Sequence, residues 1–175
     1  MMNLPDFVSD HLAICNFIGK TRTLIIGENY PNPNYASSYF YRSIPGCPGG
    51  PHVGKPPQFF NNLCNQFLVP HIDITGFNLS EYERLNKFLD SGFLLIDSQR
   101  NLVNPIRPAA LTPFEIDDLV KTILLINPKN IIFLTANNKN VIRLISTHFL
   151  FGRIQPRIIY NYLNRRQWFS FPSAP

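Results

Sequence analysis

At 175 residues, 45% hydrophobic and 15% charged, the chain is long enough to bury a core and too apolar for a disordered segment. No apolar run reaches the roughly 20 residues that cross a bilayer, and the N-terminus, MMNLPDFVSDHL, has early acids in place of a secretory h-region. One domain over residues 1–175 is expected, cytoplasmic (nuclear in a eukaryote) and without a membrane partner. The charge of +5 is unevenly divided. All eleven acids lie in residues 1–118 against eight bases, a balance of −3, whereas residues 119–175 carry eight bases and no acid, a balance of +8. A one-sided basic half suits a polyanion such as nucleic acid, and equally suits a solvated basic face.

In chain order, the first element is a continuous apolar strand, Thr23-Leu24-Ile25-Ile26-Gly27. Such runs mark parallel strands covered on both faces. Residues 29–58 follow, with seven prolines, four glycines and five aromatics. A loop of this length in a compact domain is either functional or disordered, and its aromatics argue against disorder. Tyr35, Tyr39, Phe40 and Tyr41 either line a pocket or pin the loop to the domain. Phe60, Leu63, Cys64, Phe67 and Leu68 then repeat at helical spacing.

Ser80-Glu81-Tyr82-Glu83 is a capping box opening a helix that stops at Gly92. The second strand is expected at residues 92–97, ending on Asp97. Thr112-Pro113-Phe114-Glu115 is another capping box, with proline at the first helical position, and Pro128 ends that helix. A third strand is expected at 130–136. Val141, Leu144, Ile145, His148 and Phe149 form the last helical stripe, closed by Gly152, before a mixed fourth strand at 157–163. Each stripe reads as core packing. The alternation predicts a three-layer α/β/α fold on a short, mainly parallel four-stranded sheet.

Cys15, Cys47 and Cys64 form neither metal-spaced pairs nor an even disulfide set, and Cys15 and Cys64 read as small core residues. His148 suits a satisfied core side chain better than a ligand. No metal or cofactor is expected. Gly19-Lys20-Thr21 precedes its strand and lacks the upstream glycine of a phosphate loop.

Open α/β sheets bind ligands outside the carboxyl ends of their strands. Those ends carry Glu28 and Asn29, then Asp97, then residues 135–138, then Arg165 and Arg166 leading to Phe171-Pro172-Ser173. Glu28, Asn29 and Asp97 are expected in one cleft.

The order of these segments resembles the uracil-DNA glycosylase superfamily. Gly27-Glu28-Asn29-Tyr30-Pro31 resembles its glycine-led water-site motif, and Tyr39-Phe40-Tyr41-Arg42 its base-stacking segment. Gly92 to Asp97 resembles the second-strand motif that reads the base, and Phe171-Pro172-Ser173 the Pro-Ser turn after the last strand. The chain is most similar in character to the mismatch-specific and hypoxanthine-DNA glycosylase branches. It departs where Tyr30 separates Asn29 from Pro31, where Asp97 replaces the usual asparagine, and where Phe171 replaces a histidine that stabilises the leaving base. The family's wedge loop and final helix would lie beyond Pro175, so single-stranded or mispaired substrates are expected to be favoured.

The resemblance implies a hydrolase of DNA repair that flips a modified or deaminated base and cleaves its bond to deoxyribose, with DNA as partner. Glu28 and Asn29 would be catalytic; Phe40, Tyr41, Asp97, Phe171 and Ser173 would hold the base; Arg165 and Arg166 would hold the backbone. The alternatives are a catalytically inactive nucleic-acid or nucleotide-binding protein of the same fold, and an α/β enzyme or carrier for a small nucleotide.

Overall fold

The computed structural model describes residues 18–29, 41, 61–65, 79–99, 111–134 and 138–159. Within them lie strands β1 (Thr23–Asn29), β2 (Phe93–Gln99), β3 (Asn130–Phe133) and a two-residue β4 (Ile158–Ile159). The helices are α1 (Glu81–Asp90), α2 (Pro113–Ile126), α3 (Asn138–Ile145) and α4 (Phe151–Ile154), the last running into a 3₁₀ turn at Gln155–Arg157. Residues 61–65 are also helical. The architecture is mixed α/β on a parallel sheet of order β2-β1-β3-β4, with β4 adding two rungs at the β3 edge.

β1 is central because its sequence tolerates no water on either face. Leu24, Ile25 and Ile26 are successive residues, so they alternate between faces, and all three are fully buried. Leu94 and Ile96 of β2, Ile131 of β3, and Leu85, Phe88, Leu119, Val120 and Ile123 of the helices complete the core. Both capping boxes form. Ser80 Oγ accepts from the Glu83 N–H (3.2 Å) while Glu83 Oε2 accepts from the Ser80 N–H (2.8 Å). Thr112 and Glu115 repeat the exchange at 3.3 and 2.8 Å. The bonds from Ser80 hold the Glu83 carboxyl below its ordinary range.

The helix ends follow two routes. Gly92, at φ 85°, terminates α1 in the left-handed conformation that lets the chain turn straight into β2. At the end of α2 the same role falls to Asn127 (φ 54°), whose N–H donates to Ile123 O, one residue before the Pro128 stop.

His148 is the satisfied residue its sequence position suggests. Leu150 N–H donates to Nδ1 at 3.2 Å, which leaves Nε2 to carry the proton towards Asp117 Oδ1 at 3.2 Å. The bond ties the turn after α3 to α2. Asp117 is held below the usual carboxylate range, first by its hydrogen bond to Lys121 (2.7 Å) and then by His148. Cys64 is a buried core thiol, as expected; Cys15 and Cys47 lie outside the described residues.

The strands differ from expectation at their ends. β1 continues two residues past its expected end, so Glu28 and Asn29 belong to the strand and not to a loop, and β2 runs through the expected Asp97 to Gln99. The strand expected at 130–136 is described to Phe133, and that at 157–163 only as Ile158–Ile159. No described helix is long and apolar enough to cross a membrane.

Candidate functional site

The strand order fixes where a ligand fits. From β1 the chain crosses to β2 on one side, and from β2 it returns past β1 to β3 on the other. Connections leaving β1 and β3 in opposite directions open a crevice at their carboxyl ends, the switch point at which open parallel sheets bind ligands. Asn29 closes β1 at this end, and Leu134 N–H donates to Ile26 O (3.0 Å) where β3 ends.

Within the crevice, β1 and β2 are paired rung for rung. Gly27 lies opposite Asp97, and Asn29 opposite Gln99. This register is a backbone pairing: it brings the end of β1, Gly27 to Asn29, alongside the end of β2, Asp97 to Gln99, where Ser98 is buried.

Gly27 and Asp97 are a matched pair. The Asp97 carboxylate reaches across the rung, and its Oδ1 occupies the space that a Cβ on Gly27 would fill. The glycine of the motif is thus a packing necessity: only a residue without a side chain lets the neighbouring strand lay a carboxylate over the β1 backbone. Along β2 on this face, Phe93 and Leu95 are buried and Asp97 is half-buried. The core ends at Leu95, and the carboxylate stands at the mouth of the crevice.

Tyr41 marks the same level from the side. Its hydroxyl donates to Leu95 O at 2.6 Å and accepts from Leu95 N–H at 3.0 Å, satisfying both backbone groups of one β2 residue. The chain is thereby pinned at Tyr41, two residues from Asp97 or about 7 Å along the strand. This changes the reading of Tyr41 itself. At 1% exposure, with its hydroxyl committed to Leu95, its ring belongs to the core and offers no open face to a base. Its part is to anchor the segment in which Phe40 immediately precedes it.

Phe40, Phe171, Ser173, Arg165 and Arg166 lie outside the described residues. Sequence reasoning missed the dependence of Gly27 on Asp97 and the backbone role of Tyr41. The first had a signal: two apolar runs of equal length, one ending on glycine and the other on a carboxylate. The described bases of the chain's second half also break with expectation. Lys129 and Arg157 sit at the amino ends of β3 and β4, away from the crevice rim. Among the described residues, no group of histidine, cysteine and acidic side chains is arranged to hold a metal ion.

No protein-family model matches the chain, and neither any curated protein nor any solved structure matches it significantly.

Proposed function

We propose that the crevice recognises a nucleobase and that the protein is a divergent DNA N-glycosidase of the uracil-DNA glycosylase type, with that family's three-layer, four-stranded fold. The observation that carries the reading is the Asp97 carboxylate laid over Gly27 at the switch point, beside a loop that Tyr41 pins at the same level. An ionised carboxylate accepts hydrogen bonds and cannot donate them. It selects a base edge rich in N–H donors, such as an amino-bearing base whose ring N–H and amino group lie side by side, over the mixed edge of uracil.

Hydrolysis breaks the bond from the base nitrogen to C1′, and the bonding electron pair leaves with the base. The sugar becomes oxocarbenium-like, which a nearby carboxylate stabilises. Water then adds to C1′ and gives up a proton. Asn29, at the end of β1, is the water-holding residue, and Glu28 beside it in the chain is the carboxylate of the motif. Phe40 stacks on the flipped base, and Ser173 with Phe171 closes the far side. Phe171 cannot donate to the leaving base, and loss of such a donor commonly costs two to three powers of ten in rate.

The test is abasic-site formation on oligonucleotides carrying uracil, hypoxanthine, xanthine or alkylated bases, single-stranded and paired. Release of a donor-rich base, abolished by Asp97→Asn and by Glu28→Ala, is the expected result. Robust uracil release that is indifferent to Asp97→Asn would overturn it. The second reading is a non-catalytic binder of a free nucleotide. Lys129 and Arg157, at the opposite pole, cannot hold the phosphates flanking a base docked in the crevice, which suits this reading, and silence across the panel with retained nucleotide binding would select it.

A further inference from the structure

We propose that the amino-end pole of the sheet, opposite the crevice, is a separate surface that grips the phosphate backbone of one nucleic-acid strand through Arg22, Lys129 and Arg157. Each of these residues immediately precedes a strand: Arg22 leads into β1, Lys129 into β3 and Arg157 into β4. The three strands are neighbours in the sheet. Backbone and side-chain bonds join the three residues into one rim. Arg22 O accepts from the N–H groups of Lys129 and Asn130, both at 2.9 Å. Arg157 Nη1 donates to Asn127 Oδ1 (2.7 Å) and to Pro128 O (3.2 Å), next to Lys129.

The spacing suits a single strand. Adjacent strands of a sheet lie about 4.8 Å apart, so three leading residues span about 10 Å. One strand of B-DNA presents a phosphate every 3.4 Å or so of axis, which places about three phosphates over three cations. Two of the cations are already ordered. The Arg22 stem lies across Gly92, whose missing side chain makes room for its Cβ, Cγ and Cδ. Arg157 is held through Nη1, which leaves the donors of Nη2 and Nε for phosphate oxygens. Asp90, two residues before Gly92, is the acid next to this rim in sequence, against the three bases that lead the strands.

β1 is seven residues long, about 23 Å, so this pole and the crevice cannot meet the same few nucleotides. The pole therefore acts as a tether for nucleotides outside the one whose base is read, and it stands whether or not the crevice is catalytic.

The experiment is fluorescence anisotropy of the full chain with a labelled, unmodified 20-nucleotide DNA, single-stranded and duplex, between 50 and 200 mM salt. Three phosphate contacts contribute roughly 2.7 to the slope of log affinity against log salt for duplex and about 2.1 for a single strand. These slopes alone correspond to losses of about 40-fold and 20-fold over that range. Lys129→Gln, an exposed position, should lower the slope by about 0.9 on duplex. Arg22→Gln and Arg157→Gln should each do the same, while Asp97→Asn leaves the slope intact and changes only base recognition. A folded triple variant that keeps the wild-type slope would overturn the proposal. So would binding by the same three residues to phosphatidylserine vesicles but not to DNA.

Discussion

Gly27→Ala gives the sharpest view of how the site is built. In an otherwise regular strand, alanine is favoured over glycine by roughly 0.5–1 kcal/mol, because glycine loses more backbone freedom on folding. Gly27 does not have a positive φ, so its backbone does not itself resist a side chain. The obstacle is Asp97 Oδ1, which occupies the Cβ position. The carboxylate has to rotate off its preferred geometry, at roughly 0.5–1.5 kcal/mol, and gives up interactions it makes in the wild type. The two effects nearly cancel, so Gly27→Ala alone should change stability by less than about 1 kcal/mol. With Asp97→Ala already present the obstacle is gone, and the same substitution should stabilise by roughly 0.5–1 kcal/mol. The coupling between the two positions is then about 1–2 kcal/mol, several times the scatter expected of independent sites. Urea denaturation of the four proteins of this cycle measures it. Additivity within about 0.4 kcal/mol would show that the carboxylate does not rest on Gly27, and the account of the site would fail.

Other expectations follow from single contacts. Tyr41→Phe leaves a buried N–H and C=O of Leu95 without their partner, and should cost roughly 2–4 kcal/mol in chemical denaturation. A loss under about 0.5 kcal/mol would mean that the loop is not pinned there. Burial pushes the Cys64 thiol up to about 12 from 9.0, against a smaller lowering by Arg84. The folded state thus keeps a proton that the unfolded chain releases, so this contribution is whole below pH 9 and is lost as pH rises towards 12. The slope is about 1.4 kcal/mol per pH unit. Cys64→Ala should flatten the alkaline fall in stability, and native Cys64 should resist thiol reagents at pH 8. Identical alkaline profiles for the two proteins would contradict the burial.

Much of the scaffold was legible because its causes are local. Ser80 with Glu83 and Thr112 with Glu115 are self-contained exchanges within four residues, and both form. The runs Leu24 to Gly27 and Phe93 to Ile96 have no polar side chain to expose, which by itself requires cover on both faces. The ends of β1 and β2 reach further than apolarity suggests, because apolarity stops before hydrogen bonding does: Asn29 and Gln99 are polar and pair across the two strands. The contact of the Asp97 carboxylate with Gly27 was illegible for the same reason, since only the pairing of two distant segments creates it. For Tyr41 the sequence leaves stacking and pinning open, because it does not reveal that Leu95, 54 residues away, takes both a donor and an acceptor from the Tyr41 hydroxyl.

The central claim is that a base docks where β1 and β2 end, against Asp97. The most direct measurement is an amide chemical-shift titration of the isotopically labelled protein with guanosine, whose N1–H and 2-amino group offer adjacent donors, and, separately, uridine. The account predicts that guanosine shifts the resonances of Gly27, Asn29 and residues 96–99, that uridine does so only at much higher concentration, and that Asp97→Asn reverses this preference. Shifts confined to other parts of the molecule, or equal responses to both bases in the wild type and in Asp97→Asn, would contradict it.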